Sequence, residues 1–303
     1  MVKTYMDGIM NRKEIVISGQ NISYCEAGDP ASQSIVFIHG NSSSSQSFRE
    51  VMDSAILQKY HLLAIDLMGH GKSEKACDPN NYHLPYYATL ITEFVQKNDL
   101  KNVILAGHSL GGHIAIEAAP NCQNLKGVMV WGTPPLGNPP EMARAFLPTP
   151  EVAGFFSAEV DKEMAQKLSQ VCFYESEKNT EAIDEFANSI LSTDPNAREF
   201  MAKSVGELNF LNELEIIEKL KVPLCVCIGT KEKVIDPNYF NELEVYWFWR
   251  EKVMRSECGH TFHIEQTSAF TRLLSEFSED AFSRQVVAVP AGKSKSKNLL
   301  ENA

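Results

Sequence analysis

The chain has 303 residues, 44% of them hydrophobic and 22% charged, the profile of a soluble globular enzyme with one large core and a smaller appendage. A formal charge of −11 denies nucleic acid and anionic membranes the basic surface they need, and no stretch nears the ~18 to 20 apolar residues of a membrane span. Seven scattered cysteines without a paired C-x-x-C motif fit reduced thiols better than a zinc site, and the N-terminus lacks an apolar leader, so the expected location is the cytoplasm.

In chain order, "EIVISG" and "NISYCEAG" read as a leading hairpin, and "SIVFIHG" and "HLLAID" as buried strands. Between the last two, "SFREVMDSAILQKY" reads as a helix. "LPYYATLITEFVQKNDL" places Leu84, Tyr87, Leu90, Ile91, Phe94 and Val95 on one helical stripe. "NVILAG", "GVMVWG", "PLCVCIG" and "KVMRS" continue the strands, and a last amphipathic helix carries Phe270, Leu273, Leu274 and Phe277. This alternation predicts an α/β fold, a mostly parallel sheet with helices on both faces. Residues 134–221 show helical patterns such as "DKEMAQKLSQVCFY" and "TEAIDEFANSILS" but no strand. The expected plan is a core of 1–133 and 222–284, a helical lid at 134–221, and a flexible tail at 285–303 that includes "KSKSK". Cys225 and Cys227, two apart on a strand, share a face and are expected in the core.

The chemistry is carried by "NVILAGHSLGGHIAIEAA". Ser109 sits where a buried strand turns abruptly into a helix, so its hydroxyl stands above the sheet. Gly107 and Gly111 allow the close approach of strand and helix, and the helix aims its first N–H groups at charge developing near Ser109. A serine nucleophile needs a base, and the base an orienting carboxylate. "SECGHTFHIEQ" offers His260 as the base, with His263 as the alternative that reads more simply as a structural residue. "CIGTKEKVIDP" offers Glu232 as the acid, with Asp236 as the alternative, because an Asp before Pro237 also reads as a turn or cap. The oxyanion donors are expected to be the backbone N–H of Leu110 and of Asn41 in "HGNSSSSQSF", whose serines read as a capping loop. His39, Gly40, Trp131, Thr133, Phe155, Phe156 and Tyr174 are candidate pocket residues, with packing an equal alternative for Trp131 and Thr133. Phe173 and Phe186 add to the aromatic content of the lid, and most of these aromatic residues also suit packing of the lid onto the core.

Together "HGN", "DLMGHGKS", "GHSLGG" and the "GH" of His260 resemble the α/β-hydrolase superfamily over about residues 14–280. More narrowly, "HGNSSSSQSF", "GHGKS", "SLGGHIAIE" and "GTPP" are similar to the N-acyl-homoserine lactone hydrolases of that fold. The resemblance implies a serine hydrolase that needs no metal or organic cofactor and acts on a small ester or lactone with an apolar acyl chain. It also implies a glutamate as the acid, which matches Glu232. In the "GHG" loop, His70 is expected to shape the turn. Two rivals remain on this fold, a general carboxylesterase and a ligand receptor with slow turnover.

Overall fold

The computed structural model describes residues 10–244 and 248–283. The tail expected at 285–303 lies outside the described residues. Eight strands form one sheet: β1 (Asn11–Ile17), β2 (Gln20–Gly28), β3 (Ser34–Ile38), β4 (His61–Ile65), β5 (Val103–His108), β6 (Leu125–Trp131), β7 (Leu224–Gly229) and β8 (Met254–Ser256). Their spatial order is β1-β2-β4-β3-β5-β6-β7-β8. The leading hairpin pairs antiparallel with itself and with β4, and every later pairing is parallel. The strands from β3 to β7 are apolar along most of their length because both sheet faces are covered. Val36 and Ile38 point into one core while Ile35 and Phe37 point into the other. Cys225 and Cys227 share the second face, Sγ to Sγ 3.7 Å, as the strand period requires.

The helices are α1 (Arg49–Met52), α2 (Leu84–Lys97), α3 (Leu110–Ala118), α4 (Met142–Ala145), α5 (Pro150–Gly154), α6 (Lys162–Val171), α7 (Thr180–Ser192), α8 (Pro195–Gly206), α9 (Glu213–Lys219), α10 (Phe262–Glu265) and α11 (Thr267–Ser283). The stripe read for α2 is its buried face. The helix expected over 47–60 is not one helix. A 3-10 turn at Ser45–Phe48 leads into α1, which stops at Met52. Beyond it, Ser54 N–H bonds to Val51, Leu57 N–H to Ser54 and Tyr60 N–H to Leu57, a chain of separate turns. Asp53 and Ser54 are residues that favour caps and turns over helix interiors, and here they win over the apolar spacing. α4 to α9 all fall between β6 and β7, in the stretch read as helical and strandless. No helix among the described residues is long and apolar enough to cross a membrane.

β3 contacts β4 on one side and β5 on the other, so the chain reverses its direction of winding there. The carboxyl ends of β3 and β5 therefore diverge and leave a crevice above the sheet, the usual ligand position in open α/β folds.

Candidate active site

Ser109, Glu232 and His260 lie in the loops that follow β5, β7 and β8. Ser109 follows β5 with φ 50° and ψ −118°, a left-handed conformation that a non-glycine residue holds only at a cost of about 1–3 kcal/mol. Its turn is pinned by Ser109 N–H to Trp131 C=O at 2.9 Å and by Gly112 N–H to Ser109 C=O at 2.8 Å. A Cβ on Gly107 would lie 2.2 Å from the Gly111 carbonyl, and one on Gly111 would lie 2.1 Å from the Ile38 carbonyl, so both glycines are required by close backbone approach. Gly40 packs against the same corner, where an added Cβ would lie 3.3 Å from Ser109 Cβ.

Glu232, three residues beyond β7, and His260, in the loop after β8, meet directly. His260 Nδ1–H donates to Glu232 Oε1 at 2.8 Å, and both side chains are buried. Nδ1 is thereby committed, which leaves Nε2 as the nitrogen available to a hydroxyl. Asp236 does not reach the histidine. Its Oδ1 accepts from Asn238 N–H at 2.8 Å, the local turn that an Asp before Pro supplies. The backbone N–H groups of Asn41 and Leu110 have no partner among the described residues, and both residues border the same cavity as Ser109 and His260.

That cavity measures about 100 Å³, and its wall is mostly apolar, with Leu136, Met142, Phe146, Phe155, Phe156 and Phe186 among its residues. Of the pocket residues expected from sequence, Gly40, Phe155 and Phe156 line it, and four do not. His39 is buried beneath the loop, with Nδ1–H donating to Gly40 C=O and Nε2 accepting from Leu67 N–H. Trp131 points to the opposite face of the sheet, where its Nε1–H donates to His263 Nδ1 at 2.9 Å. Thr133 spends its hydroxyl on the Ser109 carbonyl at 2.9 Å. The Tyr174 ring lies on the surface under Lys231.

The neighbouring histidines are held below their ordinary range. Burial and the adjacent His260 push His263 down to about 3. His70, whose Nδ1–H donates to Met68 C=O, is likewise lowered to about 3 by burial and by His39. His108 is held well below its ordinary range by burial and by His263 and His260, and its Nε2–H supports the His260 carbonyl at 3.0 Å. In the serine loop Ser44 caps the 3-10 turn, and Ser45 N–H is taken by Asp66 Oδ1 at 2.7 Å.

One set of contacts is invisible to sequence reasoning. The segment after α6 is stitched to both the histidine and the acid loops. His260 N–H donates to Cys172 C=O at 2.8 Å, and Lys233 Nζ reaches Phe173 C=O at 3.0 Å. Glu265 accepts from Tyr174 N–H at 2.8 Å and from Gly259 N–H at 2.9 Å. Asn41 Nδ2 likewise donates to Phe155 C=O at 2.8 Å, so its side chain ties the β3 loop to α5 rather than facing a ligand. Apart from Gly259 and Glu265, these partners are separated by long stretches of chain, and no local pattern announces them.

Glu117 on α3 supplies a test of stability. It is buried, accepts from Leu211 N–H at 2.8 Å through one oxygen, and is pushed up to about 8 by burial and by the nearby Glu213. Between its ordinary value of 4.5 and about 8 the unfolded chain releases this proton while the folded chain keeps it, so stability falls as pH rises through that window. Glu117→Gln should flatten this decline and melt several degrees above the parent at pH 8.5. Thermal melts from pH 5 to 9 with parallel slopes for the two proteins would refute the assignment.

The family model for the alpha/beta hydrolase fold matches residues 33–267. The chain belongs to the α/β-hydrolase fold family. Within it, a crystal structure of the N-acyl homoserine lactonase AidH with N-butanoyl homoserine superposes at TM-score 0.83 and 26% identity, over 91% of this chain and 98% of that one. Lipase 1 of Psychrobacter immobilis is 23% identical over 273 residues, 82% of this chain and 77% of its own length. The uncharacterized hydrolase YugF of Bacillus subtilis is 32% identical over 114 residues, 38% of this chain and 41% of its own length.

Proposed function

We propose that the protein is a serine hydrolase that opens a carboxylic ester or lactone through an acyl-enzyme on Ser109, with N-acyl homoserine lactones as its substrate class. The observation that carries this reading is the buried His260–Glu232 pair at 2.8 Å, set at the wall of the apolar cavity that also exposes Ser109 on a strained turn. Membership of the family, with lipases, esterases and a lactonase among the similar proteins, supports a hydrolase acting on ester bonds.

In this mechanism His260 Nε2 takes the Ser109 proton as Oγ attacks the carbonyl carbon, and Glu232 stabilises the imidazolium that forms. The oxyanion is met by the N–H groups of Asn41 and Leu110, reinforced by the N-terminus of α3. Collapse expels the alcohol, which takes the proton from His260. Water then attacks the acyl-enzyme with His260 again as base and releases the acid. For a lactone the leaving alcohol stays tethered to the acyl group, so deacylation must outrun re-closure.

Residues 134–221 act as the lid in this reading. Phe146, Phe155, Phe156 and Phe186 from that segment wall the cavity and suit an acyl chain. Each buried methylene contributes up to ~0.8 kcal/mol, about fourfold in affinity. A homoserine lactone series should therefore show kcat/KM rising with acyl length until the cavity is full. A flat profile would mean that the chain stays in solvent. A second reading, a general carboxylesterase, draws on the similarity to Lipase 1. It takes over if linear p-nitrophenyl esters beat every lactone of equal acyl length tenfold.

A further inference from the structure

The cavity is lined by a polar side chain for which the proposed chemistry has no use. His113 lies four residues after Ser109, one turn along α3 on the same side, and lines the cavity. Its Nδ1 sits 2.8 and 3.0 Å from the two carboxylate oxygens of Glu213. Glu213 is fully buried, accepts from Leu136 N–H at 2.8 Å, and returns its own N–H to the Leu136 carbonyl, so it cannot swing away. The pairing commits Nδ1 and fixes the plane of the ring. Nε2 remains, and it makes no hydrogen bond within the protein among the described residues.

The polar side chains of Asn41 and His108 at this wall each have a partner within the protein, although His108 Nδ1 has none among the described residues. Asn41 gives its amide N–H to Phe155 and its oxygen to Ser42, and His108 gives Nε2–H to the His260 carbonyl. The rest of the wall includes Leu136, Met201, Val205 and Phe210. An alkyl chain laid over His113 strips water from Nε2 and returns nothing, whereas a polar group on the chain restores the lost hydrogen bond. A hydroxyl serves best, because it both donates and accepts and so pairs with the ring in either protonation state.

We propose that His113, oriented by Glu213, is a specificity-determining residue that hydrogen-bonds a hydroxyl carried on the acyl portion of the substrate. This rests on the acyl-cavity reading above and narrows its substrate class to hydroxyacyl lactones or esters.

The test compares pairs of N-acyl homoserine lactones, and of p-nitrophenyl esters, that differ only by a hydroxyl placed at successive positions along the chain. One hydroxylated member should exceed its parent in kcat/KM by about tenfold or more, since a site built to pair with a hydroxyl rejects the compound lacking it. His113→Leu should bring that ratio to within about twofold of one, and Glu213→Gln, which loosens the ring, should lower it. The same pairs bound to Ser109→Ala protein should show the preference in Kd, which reads the subsite without any turnover. Near-equal kcat/KM and Kd at every position in the unmodified site would overturn the proposal with no variant at His113 needed. So would a tenfold preference that survives in folded His113→Leu. Brisk turnover of the parent compounds alongside either result would leave the hydrolase reading standing and count against His113 alone.

Discussion

Ser109→Ala is expected to leave a folded protein whose kcat on its best lactone or ester is lower by about 10⁶. The size of the loss follows from the proposed mechanism, in which nucleophile, base and acid act as a unit. Without Oγ, the His260–Glu232 pair has nothing to deprotonate in the first step, and only oxyanion stabilisation and binding survive. The fold should persist because Ser109 holds its corner through main-chain bonds to Trp131 and Gly112, which alanine keeps. Unchanged circular dichroism with activity lost is the expected pair of readings. Retained activity would remove Ser109 from the chemistry.

Glu232→Gln should cost about 10⁴ in kcat, since the amide favours the wrong imidazole tautomer and removes the charge opposite the imidazolium. The side chain is wholly buried against His260, so no solvent screens the loss. Asp236→Asn should change kcat by no more than a factor of about two, as its carboxylate accepts from Asn238 N–H and meets no histidine among the described residues. The reverse outcome would move the acid to Asp236 and leave the reaction class intact.

The strands were legible because fully buried parallel strands read as short β-branched runs, and α2 because its apolar residues recur at helical spacing. The helix over 47–60 was misread for a complementary reason. Its apolar spacing was helical, but Asp53 and Ser54 offered the backbone turn geometry that the packing of the β3–β4 connection accepts. Ser109, His260 and Glu232 stand out as candidates in the sequence because each sits within a few residues of a strand end, where chain order restricts the choice. Trp131 reads equally as pocket or packing in the sequence because a strand end carries residues facing either side of the sheet, and the structure packs it. Contacts such as Cys172 to His260 and His113 to Glu213 were out of reach, since they depend on how the helices between β6 and β7 settle on the sheet. The position of His113, one turn beyond Ser109, was the one signal of a second polar group near the nucleophile.

The most direct measurement of the central claim is covalent labelling with a fluorophosphonate, followed by intact mass and peptide mapping. An activated serine in this arrangement should take up one phosphonyl group per chain, on Ser109, and His260→Ala should slow the reaction by orders of magnitude. Inactivation should track incorporation, and a slowly hydrolysed lactone should protect. Failure to label, or a label on any other residue while hydrolysis continues, would contradict the assignment of Ser109 as the nucleophile.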